Sequence, residues 1–141
     1  MSTTSILLVE DDDLDIISVE RSLKKIEVDH QLYTAYNGIE ALAMLNGENQ
    51  EEVHPDIILL DINMPRMDGI EFLSRLRKEE KYKDIKVYVM TTSNEEQDRV
   101  KTEKLGISGY IIKPLNFNDN TKKTESMDNF MHFQILKIMS Q

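Results

Sequence analysis

A run of four branched apolar residues that ends in one carboxylate, Ile57-Ile58-Leu59-Leu60-Asp61, constrains this chain more than any other stretch. An unbroken apolar run of this length suits a strand buried on both faces of a parallel sheet, although periodicity alone leaves a buried helix open. His54-Pro55 and Pro65 bracket the run too closely for a helix of ordinary length, so we interpret it as a strand. Asp61 then ends that strand, where open α/β sheets place their ligand sites.

The composition is that of a folded, acidic protein without cysteine. The 141 residues are 40% hydrophobic and 30% charged, which fits one globular domain, expected over residues 5–141. The absence of cysteine excludes disulfides and thiolate metal sites. A net charge of −9 argues against direct binding of nucleic acid, because that binding depends on neutralising phosphates.

The sequence gives no sign of a membrane span or a secretion signal. No apolar run approaches the roughly 20 residues that cross a bilayer. Residues 1–5 lack a basic region followed by an apolar one, so no signal peptide is predicted. We therefore expect a cytoplasmic location and no membrane partner.

Five short apolar runs alternate with segments of helical periodicity. This alternation argues for a parallel sheet with helices on both faces, joined by right-handed crossovers. No segment is left for a second or output domain, and the chain has no internal repeat. The predicted strands span residues 6–9, 30–36, 57–61, 87–90 and 110–112.

Five helices are predicted, one after each strand. Asn37 is expected to cap the second helix, with Glu40 three residues later as in a capping box. The fourth helix, from Asn94 to Gly106, has few apolar residues and is expected to be loosely held. The positions expected to be buried are Ile16, Val19, Leu23 and Ile26 in the first helix, Ala41, Leu42 and Leu45 in the second, and Ile70, Leu73 and Leu76 in the third.

Polar side chains follow four of the predicted strands. Glu10 and Asp11 follow the first strand and Asp61 ends the third. Thr91 follows the fourth strand and Lys113 follows the fifth. Because the carboxyl ends of parallel strands share one edge of the sheet, these side chains are expected to converge there. Acidic residues often begin a helix, so the acidic run alone does not indicate a site. The specific signal is that polar residues occur directly after several separate strands.

Three carboxylates in one crevice require a cation or protonation. Two unit charges about 4 Å apart repel by roughly 4 kcal/mol at an effective dielectric of about 20. A site of oxygen ligands with few carboxylates and several waters matches Mg²⁺. A carboxylate can be the nucleophile in phosphoryl transfer, while a metal, a lysine and a hydroxyl balance the charge on the transferring group. The pattern therefore predicts magnesium-dependent phosphoryl transfer.

These residues resemble the receiver domain of bacterial two-component response regulators, over roughly residues 5 to 140. The resemblance implies an α/β, flavodoxin-like three-layer sandwich, whose five-stranded parallel sheet has the order 2-1-3-4-5 with five helices. The motifs that carry it are Ile6-Leu7-Leu8-Val9-Glu10-Asp11, Leu59-Leu60-Asp61-Ile62-Asn63-Met64-Pro65, Met67-Asp68-Gly69, Met90-Thr91-Thr92-Ser93 and Gly109-Tyr110-Ile111-Ile112-Lys113-Pro114.

The resemblance also implies a role for each residue at the site. Asp61 would accept a phosphoryl group from a histidine kinase or a histidine phosphotransfer protein. Asp11 and Asp61 would ligate Mg²⁺ together with the main-chain carbonyl of Asn63. Glu10, which stands where many members carry aspartate, would hold the metal through water. Lys113 would pair with the phosphoryl group.

A switch on phosphorylation is implied as well. Thr91 would hydrogen-bond the phosphoryl oxygens and move towards them, which vacates space for Tyr110. The peptide bond between Lys113 and Pro114 is expected to be cis, because that geometry aims the lysine. Within the family, Thr91-Thr92-Ser93 and the long connection before the Asp61 strand resemble single-domain receivers that work beside cyanobacterial phytochromes.

The last predicted helix, of about four turns, is apolar on more than one face. Its main stripe is expected to dock on the sheet, while Phe133 and Leu136 lie on other faces. A helix of this kind usually has more than one neighbour. We therefore hypothesise that Phe133 and Leu136 contact a partner, with a second copy of the chain as one candidate and an unused chain end as the alternative.

Two other functions stay open on the sequence alone. One is a Mg²⁺-dependent phosphatase with an aspartyl nucleophile, although such enzymes usually carry a second acid where this chain has Asn63. The other is an inert pseudo-receiver scaffold, against which the intact acids and Lys113 argue. The leading hypothesis is a stand-alone receiver that catalyses only its own phosphorylation and dephosphorylation, is not an enzyme, and acts on an unknown downstream protein.

Overall fold

Five parallel strands form one sheet in the computed structural model, which describes residues 3–25, 29–48, 52–62, 69–91 and 104–112. The order is β2-β1-β3-β4-β5, as the resemblance implied, and each neighbouring pair is parallel. The predicted parallel α/β sheet is thus confirmed. The strands are β1 (Thr4–Val9), β2 (His30–Ala35), β3 (Ile57–Asp61), β4 (Lys86–Thr91) and β5 (Gly109–Ile112).

Three α-helices connect the strands within the described part of the chain. They are α1 (Asp13–Lys25), α2 (Gly38–Asn46) and α3 (Gly69–Lys78), and a short 3-10 helix (Glu80–Tyr82) follows α3. Most of the predicted fourth helix and all of the fifth, with Phe133 and Leu136, lie outside the described residues. No helix in the described ranges has the length and apolar character needed to cross a bilayer.

The sheet carries an apolar layer on each face, because successive residues of a strand point to opposite sides. Every residue of β3 is buried, which confirms the prediction made from its unbroken apolar run. One layer packs on α1 and contains Ile6, Leu8, Ile57, Leu59, Tyr88 and Met90. The other packs on α2 and α3 and contains Leu7, Val9, Ile58, Leu60, Val87 and Val89.

Side-chain caps set the starts of α1 and α2. Asp12 Oδ1 accepts hydrogen bonds from the N–H of Leu14 at 2.8 Å and of Asp15 at 3.2 Å. Asn37 Oδ1 accepts from the N–H of Glu40 at 2.8 Å, so the predicted asparagine cap is confirmed. Caps of this kind satisfy amide groups that a helix start leaves without partners. The first helix buries Ile16, Val19 and Leu23, as predicted, whereas Ile26 lies outside the described residues. In α2, Ala41 and Leu45 are buried as predicted, but Leu42 is only partly buried.

The inner face of α3 differs from the prediction. Ile70 is only partly buried, whereas Phe72 is fully buried beside Leu73 and Leu76. The inner stripe starts at Gly69, and positions 69, 72, 73 and 76 have the i, i+3, i+4, i+7 spacing of a helix face. The prediction was right for Leu73 and Leu76 and wrong for Ile70, because it started the stripe one residue late.

Gly69 allows α3 to start directly against the end of β3. A Cβ atom on Gly69 would lie 2.4 Å from Ile62 Cα and 2.6 Å from the carbonyl oxygen of Asp61. The N–H of Gly69 donates to the carbonyl oxygen of Ile62 at 3.2 Å. The chain that carries Asp61 is therefore packed backbone to backbone against this helix.

Tyr82 ties the 3-10 helix to the end of α2. The buried tyrosine places its hydroxyl 3.0 Å from the carbonyl oxygen of Leu45 and 2.9 Å from Asn46 Oδ1. Its one proton is shared between two acceptors. A buried acceptor that loses its donor keeps the full desolvation penalty.

We expect Tyr82→Phe to lower the free energy of unfolding by about 1–2 kcal/mol, because the Leu45 carbonyl loses its hydroxyl partner. Urea unfolding measures the change. Tyr36→Phe is the matched control, since Tyr36 is 49% exposed, and it should leave the midpoint unchanged. Equal midpoints for the two variants would contradict the interpretation.

We expect Gly69→Ala to lower the free energy of unfolding by about 1–3 kcal/mol, the usual range for overpacking. The added methyl group has no room beside Ile62 and Asp61. Lys78→Ala, at an exposed position of the same helix, serves as the control in the same urea titration. A Gly69→Ala protein as stable as that control would show that the contact relaxes freely.

Candidate functional site

The pairing of β1 with β3 places two acidic residues side by side. The register pairs Val9 with Leu60, the residues that precede Glu10 and Asp61. The N–H of Glu10 donates to the carbonyl oxygen of Ala35 at 2.9 Å, which extends the ladder towards β2. Both acids therefore have a backbone that the sheet fixes.

Three carboxylates meet at this edge of the sheet. Oxygen atoms of Glu10, Asp11 and Asp61, one from each, all lie within 4.8 Å of one another. Glu10 is fully buried and Asp61 is 3% exposed, whereas Asp11 is exposed. The predicted convergence of these three residues is confirmed in the described part of the chain.

The side chain of Glu10 is held by the backbone that follows it. Its Oε2 atom accepts hydrogen bonds from the N–H of Asp11 at 3.1 Å and of Asp12 at 3.2 Å. These amide groups stand just before α1, where the helix dipole favours negative charge. The longer arm of glutamate thus folds back onto the loop and stays close to Asp61.

The cluster suits a divalent cation on electrostatic grounds. Two unit charges about 5 Å apart repel by roughly 3 kcal/mol at an effective dielectric of about 20, and three acids make three such pairs. A hard divalent ion with oxygen ligands removes this repulsion, and Mg²⁺ commonly uses one or two carboxylates plus waters. Glu10, Asp11 and Asp61 could therefore hold such an ion.

The other predicted site residues are described only in part. Asn63 and Lys113, with the predicted cis bond to Pro114, lie outside the described residues. Thr91 ends β4 and its backbone pairs with Ile112. The backbone of Tyr110 pairs with Val89. For Thr91 and Tyr110 the description extends to the backbone, so their predicted switch stays a prediction.

Gly69, whose packing role was not predicted from the sequence, lies directly against the backbone of Asp61 and Ile62. Glycine carries no hydropathy signal, so the apolar pattern of the helix gives no indication of Gly69, which enters the sequence analysis only through the motif Met67-Asp68-Gly69. Extending the apolar spacing of Phe72, Leu73 and Leu76 back by one turn would have placed it on the inner face. Its contact with the Asp61 carbonyl could not be read from the sequence.

Comparison with known proteins agrees with this geometry. The profile of the response regulator receiver domain matches residues 6–125. Response regulator Rcp1 of Synechocystis sp. is 36% identical over 127 residues, which are 89% of this chain and 86% of that protein.

Two solved structures show the same fold. The Mn²⁺-bound form of response regulator Rcp1 superposes with a TM-score of 0.80 at 34% identity, covering 91% of this chain and 94% of that one. The phosphorylated cyanobacterial phytochrome response regulator RcpA gives a TM-score of 0.83 at 32% identity, covering 94% of each chain. With its sheet order, its acidic cluster and these matches, the chain belongs to the response regulator receiver domain family.

Proposed function

We propose that this protein is the phosphoacceptor of a two-component phosphorelay, with residues 5–141 acting as one receiver domain. It receives a phosphoryl group on Asp61 from a histidine kinase or a histidine phosphotransfer protein. It then acts through altered contacts with a downstream protein. The observation that carries the proposal is the cluster of Glu10, Asp11 and Asp61 at the carboxyl edge of the sheet.

Among the three acids, Asp61 is best suited to be the acceptor. Its backbone belongs to β3, between β1 and β4, and pairs with Met90. Glu10 already uses Oε2 to accept two amide hydrogen bonds, and Asp11 lies exposed in a loop. A nucleophile gains most from a fixed position, because orientation removes much of the barrier.

The transfer is a simple exchange of bonds at phosphorus. A carboxylate oxygen of Asp61 forms the new P–O bond while the P–N bond to the donor histidine breaks. The leaving imidazole nitrogen takes up a proton. The product is an acyl phosphate on Asp61, which water can later cleave.

The acids would hold Mg²⁺ during this exchange, with the main-chain carbonyl of Asn63 as a further ligand. When bound, the ion neutralises charge on the transferring oxygens. Two observations support a divalent ion here: the three carboxylate oxygens within 4.8 Å and the Mn²⁺ bound by the relative Rcp1. Glu10 is proposed to act through a water, because its Oε2 is engaged by the backbone.

Lys113 and Thr91 are proposed to stabilise the phosphoryl group by ion pairing and hydrogen bonding. The register supports this assignment, because Thr91 pairs with Ile112, the residue before Lys113. We keep Tyr110 as the proposed partner of Thr91 in switching. A homodimer through Phe133 and Leu136 stays a prediction.

A phosphatase with an aspartyl nucleophile is the less favoured alternative. The second acid that such enzymes place two residues after the nucleophile is Asn63 in this chain. A receiver forms at most one acyl phosphate per chain and is not an enzyme in the ordinary sense. Repeated turnover of phosphate esters would favour the phosphatase.

We expect acetyl phosphate with Mg²⁺ to add one phosphoryl group to the protein, measured by intact mass. Asp61→Asn should abolish the addition, as should a metal chelator, because the nucleophile or the ion is then missing. Asp56→Asn is the matched control at the opposite end of β3, where Asp56 Oδ2 accepts from the N–H of Ser5 at 2.8 Å. Labelling that persists in Asp61→Asn would refute the assignment, and Asp56→Asn should be labelled like the starting protein.

We expect Glu10→Gln to change stability in opposite senses with and without metal. Without metal, loss of one buried charge should raise the free energy of unfolding by about 1 kcal/mol, a fraction of the repulsion between neighbouring acids. The affinity for Mg²⁺ should fall by about tenfold, as for other residues that support a metal site.

Urea unfolding at zero and saturating Mg²⁺ measures both effects of Glu10→Gln. Glu20→Gln, at an exposed position of α1, should change neither quantity. If Glu10→Gln bound Mg²⁺ as tightly as the Glu20→Gln control, Glu10 would have no part in holding the ion.

A further inference from the structure

The guanidinium group of Arg77, on α3, donates all of its hydrogen bonds to main-chain carbonyls. Arginine has five N–H donors in a planar fork, and the structure uses five. The acceptors lie in two separate segments, residues 82–85 and 105–106, and all five are main-chain carbonyls. They are Leu105 at 2.9 Å from Nε, Tyr82 at 3.1 Å and Lys83 at 3.2 Å from Nη1, and Ile85 and Gly106, each at 3.0 Å, from Nη2.

The Arg77 side chain links α3 to the segments at residues 82–85 and 105–106 and is partly removed from water. The side chain is half-buried. Burial lowers the pKa of the Arg77 guanidinium from its ordinary value, and the nearby Asp84 partly opposes that shift. Five carbonyl dipoles replace the water that the cation gives up on burial.

These bonds join the starts of two neighbouring strands to one helix. Ile85 immediately precedes β4, and the turn at Leu105 and Gly106 leads into β5. Gly106 has a φ of 74°, a left-handed conformation that favours glycine. The N–H of Ser108 donates to the carbonyl oxygen of Val87 at 2.7 Å, so the ladder between the strands begins at this end.

The opposite ends of the same two strands lead to the proposed phosphoryl site. The strand β4 has six residues and ends at Thr91, so it spans about 20 Å. The strand β5 ends at Ile112, and Lys113 is the next residue of the chain. A paired strand is stiff along its length, so a shift at its start is carried to its end.

We propose that Arg77 is a positioning residue for phosphoryl transfer, which fixes the starts of β4 and β5 and thereby sets where they deliver Thr91 and Lys113. This inference rests on the proposed function of those two residues. Arg77 does not touch the reacting atoms. It acts at the amino ends of β4 and β5, whereas the proposed site lies at their carboxyl ends.

If Arg77 positions Thr91 and Lys113, its replacement should lower the rate of phosphorylation and leave the Mg²⁺ affinity unchanged. A general loss of structure would lower both. Asp61 belongs to β3, and Glu10 and Asp11 lie in the loop after β1; neither of these elements accepts a hydrogen bond from Arg77. Metal affinity should therefore be independent of Arg77. The rate of phosphorylation should depend on it, since a misplacement of about 1 Å at a reacting site can lower a rate by about 100-fold.

The test compares Arg77→Lys with Arg75→Lys. Lysine keeps the charge but has a compact ammonium group with three donors, which cannot reproduce a planar fork. Arg75 lies on the same helix, is exposed and pairs with Glu71 at 3.1 Å. Three measurements are made on each full-length protein: Mg²⁺ affinity, the rate of phosphorylation by acetyl phosphate at saturating Mg²⁺, and amide hydrogen exchange over residues 105–112.

For Arg77→Lys we expect a Mg²⁺ affinity within about twofold of the starting protein, a phosphorylation rate lower by about tenfold or more, and faster exchange over residues 105–112. Arg75→Lys should change none of these. Gly106→Ala distorts the same turn while leaving the guanidinium in place, and it should slow phosphorylation in the same way. It carries the test if Arg77→Lys does not fold.

Two results would overturn the proposal. An unchanged phosphorylation rate in Arg77→Lys or Gly106→Ala, even with faster amide hydrogen exchange, would show that the hydrogen bonds of Arg77 only stabilise the turn. A parallel fall in Mg²⁺ affinity and rate would show a general loss of structure. If the starting protein itself takes up no phosphoryl group, the proposed function fails first, which is a separate outcome.

Discussion

The parallel pairing of β1 with β3 is the constraint on which the site depends. Its register brings Glu10 and Asp61 together at the edge of the sheet, and the apolar layers on both faces hold that register. A slip of one residue would move every side chain of β3 to the opposite face. The hydrophobic core and the acidic site are therefore specified by the same set of strand residues.

The three neighbouring carboxylates repel each other, and hydrogen bonds to Glu10 and the exposure of Asp11 to water reduce that repulsion. Glu10 is fully buried, yet two amide groups ahead of α1 bond its carboxylate, while Asp11 is left in contact with water. The arrangement keeps one oxygen atom of each of the three acids within 4.8 Å of the others, within reach of one ion. Such a site is ready for a cation because its own charges oppose each other.

The sequence predicted the features that depend on local pattern. An unbroken apolar run located β3, and direct succession after apolar strands located Glu10 and Asp61. It was less successful where backbone contacts decide the outcome. Phe72 was missed because the inner stripe of α3 starts at Gly69, a residue without a hydropathy signal. Arg77 gave no signal because its partners are carbonyl groups, which every residue has.

Because Arg77 bonds only to main-chain carbonyls, the segments that it joins can vary in amino-acid sequence. An ion pair requires two particular side chains, and both must change together if the pair is to survive. The Arg77 fork instead recognises the path of the backbone at positions 82–85 and 105–106. An exposed side chain such as Lys83 can thus be exchanged while its carbonyl oxygen remains in place. The contact therefore depends on the identity of one side chain, Arg77, and exposed side chains of the two segments that it joins can change without breaking it.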